Sequence, residues 1–133
     1  MPNRRGLRKC ERGQALLEFV LTIFTVLVVI FMTIELCSAI YTYVVLSDAV
    51  NEGLRYAIVH SADGGVTNTQ NVVKDYAKSS LHDTSAMTVS VSPSTWAAGD
   101  TLTINVSYAY LPYMGFMTNP PTMHASAEGV CVY

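Results

Sequence analysis

Charge is scarce in this chain of 133 residues, and what there is of it is unevenly placed. Only 14% of the residues are charged while 50% are hydrophobic, an oily balance for a soluble domain of this size. Five of the eight basic residues (Arg4, Arg5, Arg8, Lys9 and Arg12) lie in the first twelve positions, with Glu11 the one acid among them. From Gln14 onward three basic residues, Arg55, Lys74 and Lys78, stand against nine acids, a formal net of −6. An acidic body argues against nucleic acid as a partner, since phosphate contacts need Lys and Arg. Cysteine is scarce too. Cys10, Cys37 and Cys131 make no disulfide framework, and their spacings fit no zinc pattern. His60, His82 and His124 are scattered, with no carboxylate or thiol at ligand spacing, so no metal site is expected. There is no G-x-S-x-G and no Cys–His pair with a third orienting group. The expectation is a protein without catalytic residues or cofactor.

Proline is missing from Gln14 to His60, and Gly53 is the one glycine inside that stretch. Nothing there breaks a helix. Ala15 to Ile34 reads ALLEFVLTIFTVLVVIFMTI, twenty residues with a single charge. As a helix it rises about 30 Å, the thickness of a bilayer's hydrocarbon core. The basic cluster precedes it, and no Lys or Arg follows until Arg55, so the N-terminus is expected in the cytoplasm and residues 41–133 outside. A cleaved secretory signal fits poorly: the apolar run is too long, and Ser38-Ala39-Ile40 is only a rough cleavage site.

Beyond the span Leu36, Ile40, Tyr43, Val44, Ser47, Val50, Leu54, Ala57 and Ile58 recur at three- and four-residue steps, one stripe of an amphipathic helix. The simplest reading is one helix of about 45 residues, near 70 Å long, ended by Ser61-Ala62-Asp63-Gly64-Gly65. A second helix is expected over residues 69–82, with Val72, Val73, Tyr76, Ala77 and Leu81 on one face and Thr67 or Thr69 as its cap. The period then changes to two. Met87, Val89 and Val91 alternate with polar residues, as do Leu102, Ile104, Val106, Tyr108 and Tyr110. A weaker alternation runs through Met123, Ala125, Ala127, Val130 and Val132. Residues 93–100 have turn composition. The expected fold class is α+β: a long N-terminal helix, membrane-spanning in its first half, packed against a second helix and a small antiparallel sheet. The loop 111–121 carries Tyr113, Met114, Phe116 and Met117 among Pro and Gly, and either folds back on the sheet or contacts a neighbour.

At the border of tail and span stands Arg12-Gly13-Gln14-Ala15-Leu16-Leu17-Glu18-Phe19: a basic leader ending in Gly, with Glu five residues later inside an apolar helix. This resembles the class III signal that prepilin peptidase cuts after the Gly. The G-x-A-x-x-E-F start, Glu35 at the end of the span, the stretch from Val50 to Ala57 around Arg55, and Tyr108-Ala-Tyr-Leu-Pro112 are similar to the TadE-like family of tight-adherence pilus systems. Two departures stand out. Gln14 replaces the Phe that begins mature type IV pilins, which puts N-methylation in doubt. Asn51 or Val50 replaces the small residue usual before the Arg.

The resemblance implies a pilin-like layout: leader 1–13, helix 14–60 with the span 15–34, and an extracytoplasmic domain 61–133 packing on the helix. It implies a minor pilin or pseudopilin of a Tad-type pilus or secretion apparatus, serving pilus biogenesis, adhesion and biofilm growth. The partners are then prepilin peptidase, other pilin subunits and the inner membrane. The residues are Gly13 and Gln14 for cleavage and Glu18, Phe19 and Glu35 for assembly. The bland reading makes Gly13 a loop residue and Glu18 a first-turn carboxylate favoured by the helix dipole. The rival function is a single-pass display protein that never polymerises. After export Cys37 and Cys131 both meet an oxidising compartment, where a last strand on the helix brings them together; alternatively Cys37 lies in lipid and Cys131 in the core.

Overall fold

The computed structural model describes residues 4–60, 65–81, 83–112, 115, 119 and 121–132, with side chains from Gly13 onward. The chain runs through α1 (Arg4–Val59), α2 (Val66–Lys78), β1 (Met87–Ser92), β2 (Thr101–Ala109) and β3 (Thr122–Val130). The strands form one antiparallel meander in the order β1-β2-β3. The α+β class expected from the sequence is the class observed. The chain divides into two compact units, Met1–Cys37 and Ser38–Tyr133, and α1 contributes to both.

The described residues of the first unit are all helical. Its side chains from Leu16 to Leu36 are nearly all open to the surroundings; Leu17 and Met32 keep 69% and 68% of their surface exposed. So much contiguous apolar surface is untenable in water and matches lipid tails. The polar exceptions are handled locally. The hydroxyls of Thr22, Thr25 and Thr33 donate to the carbonyls of Glu18, Leu21 and Val29 at 2.8, 2.9 and 2.8 Å. No hydroxyl proton of these three is left to face hydrocarbon.

The second unit has an ordinary packed core. From α1 it takes Val45, Leu46, Ala49, Val50, Leu54 and Ala57, spaced at three and four residues so that they share a face. From α2 it takes Val73 and Ala77, and from β2 Leu102, Ile104 and Val106, all closed to solvent. Each fully buried aliphatic chain contributes about 1.5–3 kcal/mol relative to exposure. Two glycines stand close to neighbouring layers, and the approach is tight at Gly53. A Cβ on Gly53 would run into Cγ2 of Val73, and one on Gly129 would meet Ile58 Cδ1 at 3.1 Å and Leu54 Cδ2 at 3.2 Å. Polar ties fix the rest. Gln70 Nε2 donates to the Val89 carbonyl at 3.0 Å, and Tyr108 Oη to that of Asp83 at 2.9 Å. In the 93–100 turn Asp100 Oδ2 accepts from Ala97 N–H at 2.8 Å, while Gly99 takes φ +92°, a conformation glycine adopts at no steric cost.

Three local expectations are corrected. On α1 the face covered by the sheet runs through Thr42, Val45, Leu46, Ala49 and Val50, whereas Leu36, Ile40, Tyr43 and Val44 of the expected stripe lie exposed. Both stripes are apolar, and periodicity alone does not tell which one the chain's own domain covers. The second helix starts at Val66 with Gly65 at its N-cap and no side-chain cap bond, so Thr67 and Thr69 lie inside it and Thr69 is buried. In the last strand Gly129 and Cys131 continue the inward set of Met123, Ala125 and Ala127, and Val130 and Val132 point out. The apolar outward residues masked the true phase. Tyr113, Met114, Phe116 and Met117, expected either to fold back on the sheet or to contact a neighbour, lie outside the described residues.

Candidate functional site

Two kinds of surface concern function: the apolar face of α1 and the solvent face of the sheet. On α1 the helix is continuous through Gly13, Gln14, Glu18, Phe19 and Glu35. Gly13 has open space where a side chain would stand, and as a glycine it is the weakest link of its turn. Glu18 lies five residues on, exposed, its carbonyl already taken by Thr22. Phe19 beside it is 65% exposed. Glu35 is half-buried at the far end of the apolar run. Seventeen residues separate the two carboxylates, about 26 Å along the axis, so they bracket a stretch close to the hydrocarbon thickness.

The exposed apolar surface does not stop at Glu35. Ile40, Tyr41, Tyr43 and Val44 keep about half their surface open, although Val45 and Leu46 on the opposite side are buried under the sheet. Exposed apolar residues on α1 therefore occur up to ten residues past the expected end of the span. Further out Arg55 pairs with Glu52 at 2.9 Å in an exposed bridge, of a kind that contributes little to stability. Tyr56 stacks on His60 with centroids 4.2 Å apart.

The two cysteines differ in setting. Cys37 is exposed at the end of the first unit; Cys131 is buried in the second, and both are free thiols. Burial pushes the Cys131 thiol up from its ordinary pKa, with the Asp100 carboxylate adding in the same direction, so its reactive thiolate is suppressed.

The sheet's solvent face was not singled out from the sequence. It holds a shallow depression of about 360 Å³ floored by hydroxyls and one amide, with Ser90, Asn105 and Ser126 in one cross-strand row and Thr88, Ser107 and His124 in the next. The signal was present in the Thr, Ser and Asn residues that alternate with apolar ones along the strands.

No curated protein and no solved structure matches the chain. The model of the TadE-like protein family, whose members are structural components of Tad pilus systems, matches residues 13–55, so the likeness read from the sequence holds over the apolar and outer turns of α1.

Proposed function

We propose that the chain is a minor pilin or pseudopilin of a Tad-type pilus or secretion apparatus. It is inserted in the inner membrane with its N-terminus in the cytoplasm, cut after Gly13 by prepilin peptidase, and joined to other subunits through α1. The observation that carries this reading is the start of the family match at Gly13, immediately before the exposed apolar run. A helix with a bare apolar face exchanges lipid for neighbouring helices with little change of solvent. The 38–133 unit then supplies the part outside the membrane, built on the far end of the same helix.

Glu18 fits the same scheme. A carboxylate at the bilayer centre costs about 2.5–3.5 kcal/mol on insertion scales, and less near the interface. One turn from the new N-terminus it reaches the headgroups while the subunit waits in the membrane. In a filament, the α-ammonium of Gln14 created by cleavage takes that place, on the same subunit or on a neighbour. Such a pair also fixes register, since a misplaced subunit leaves a charge uncompensated.

The test of assembly is fractionation. Cells of the native host are sheared, and the chain is followed by immunoblot in released filaments and in membranes. The cleaved form is expected in the filament fraction, at low stoichiometry. Complete retention in the membranes of piliated cells would favour the non-polymerising display protein.

A further inference from the structure

The two edges of the sheet are finished differently. At β1, α2 lies alongside and the Gln70 amide occupies the outward carbonyl of Val89 at 3.0 Å. At β3, Cys131 N–H donates to the Asp100 carbonyl at 3.0 Å and Tyr110 N–H to that of Pro121 at 3.1 Å. With the β2–β3 register, these two bonds fix the alternation: the inward-facing residues 121, 123, 125, 127, 129 and 131 are the ones that bond β2. The backbone N–H and C=O groups of Thr122, His124, Ser126, Glu128 and Val130 therefore point away from it. Among the described residues none of these groups has a partner. β3 itself has neither proline nor lysine in the strand and no bulge in its register. Its inner side is incomplete as well: Met123, Ala127 and Gly129 are only half-buried, while Leu102, Ile104 and Val106 of β2 are closed.

We propose that the open edge of β3 is a strand-addition site for an extended segment of a different chain. That segment is apolar at its inward positions, acidic opposite His124 and basic opposite Glu128. Main-chain bonds to the five free residues supply affinity, and the side chains set direction and register. His124 and Glu128 lie on the solvent face, two residues either side of Ser126, so directly opposed partners of complementary charge favour one antiparallel register. Apolar inward side chains complete the half-closed layer beside Met123 and Ala127.

A second copy of this chain is a poorer occupant. Head-to-tail addition needs the β1 edge, which α2 and Gln70 close. An antiparallel β3–β3 pair centred on Ser126 would match His124 with Glu128, but its two-fold axis, perpendicular to the sheet, reverses the Ser38–Val59 part of α1 in one copy. Two chains anchored in one bilayer cannot do that. This last step rests on the membrane-anchored reading of the protein; the open edge does not.

The experiment uses the full chain in detergent micelles and the peptide TVKVTVEVT, which in antiparallel register sets Lys against Glu128 and Glu against His124. Residue-resolved amide exchange is the readout. In the free chain the amides of His124, Ser126 and Glu128 are expected to exchange fast and those of Ala125, Ala127 and Gly129 slowly. The peptide is expected to slow the first set at least about tenfold, and the charge-exchanged peptide TVEVTVKVT markedly less. Ser126→Pro removes only an outward N–H, so it should abolish the peptide's effect while Ala125, Ala127 and Gly129 stay slow. If that variant loses the slow amides as well, it has not folded, and the comparison of the two peptides decides. Equal protection by both peptides, or none, overturns the proposal. So do outward amides already slow in the free chain at every dilution, which would mean that the chain covers its own edge. Protection that grows with chain concentration overturns it in favour of a second copy. None of these outcomes depends on cleavage at Gly13, so the site and the pilin reading fail separately.

Discussion

Gly53 lies against Val73 of α2, and the missing side chain is what makes room for it. An alanine there gains about 1 kcal/mol of helix propensity. Its Cβ, however, runs into Val73, a fully buried side chain stiff at χ1. Overpacking of this kind costs about 1–3 kcal/mol. Gly53→Ala is therefore expected to lower the melting temperature of the full chain in detergent. Gly129→Ala meets only the terminal methyls of Ile58 and Leu54, which can turn aside, and should shift it little. Thr69 offers the opposite case: it is completely buried, and its Oγ1 has no hydrogen-bond partner among the described residues. Thr69→Val removes an unsatisfied polar atom and keeps the shape, and a gain on the order of 1 kcal/mol is expected in the same melt. Cys131 adds a pH dependence. Because burial raises its pKa in the fold, the folded state holds the proton more tightly than the unfolded one. Its stabilising contribution is complete below the ordinary thiol range, about pH 8.5, and is lost as pH rises from there toward the folded value. Melting curves between neutral and alkaline pH should fall more steeply for wild type than for Cys131→Ala. Equal slopes would remove the thiol from the account.

Among the elements, α1 carries both the clearest and the least legible information. The long apolar helix was legible because no proline and only one glycine interrupt the sequence from Gln14 to His60. The stripe beyond it was not, because α1 has two apolar faces there. One, through Val45 and Leu46, is buried by the sheet; the other, through Ile40 and Val44, is bare, and hydropathy alone makes them equivalent. The strands show a similar contrast. Alternation in β1 and β2 gave the correct faces, since every second residue is large and apolar. In β3 the inward set consists of Ala, Gly and Met, while Val130 is outward, so residue type ran against geometry. Gly65 as N-cap of α2 could not be chosen over two nearby threonines, because a helix that starts without a side-chain cap bond leaves no residue-type signal. A functional prediction also belongs to this scale. If Glu18 pairs with the new N-terminus, Glu18→Leu should insert and be cleaved normally but enter filaments poorly. Blots of the sheared fraction measure this. Wild-type levels there would remove the pairing role from Glu18.

At the scale of the whole molecule, the chain joins a helix whose apolar surface is open to a second unit with a packed core, and α1 contributes residues to both. The candidate site was legible to the extent that it is linear: Gly13, Glu18 and Phe19 form a short motif, and the family match covers them. The open edge of β3 was not legible, since it depends on strand order and on the placement of α2 rather than on any residue pattern. The two cysteines lie in separate units, one exposed and one buried, both as free thiols. Cys37 is expected to react with a maleimide under native conditions and Cys131 only after unfolding; a disulfide between them would block both. The central claim is that this chain is a processed pilus subunit, and the N-terminus of the native protein tests it most directly. Intact-mass measurement of protein extracted from the membranes of its own host should give a chain beginning at Gln14. A chain that still begins at Met1 or Pro2, in cells that process their other prepilins, would contradict the account and leave a simple membrane anchor.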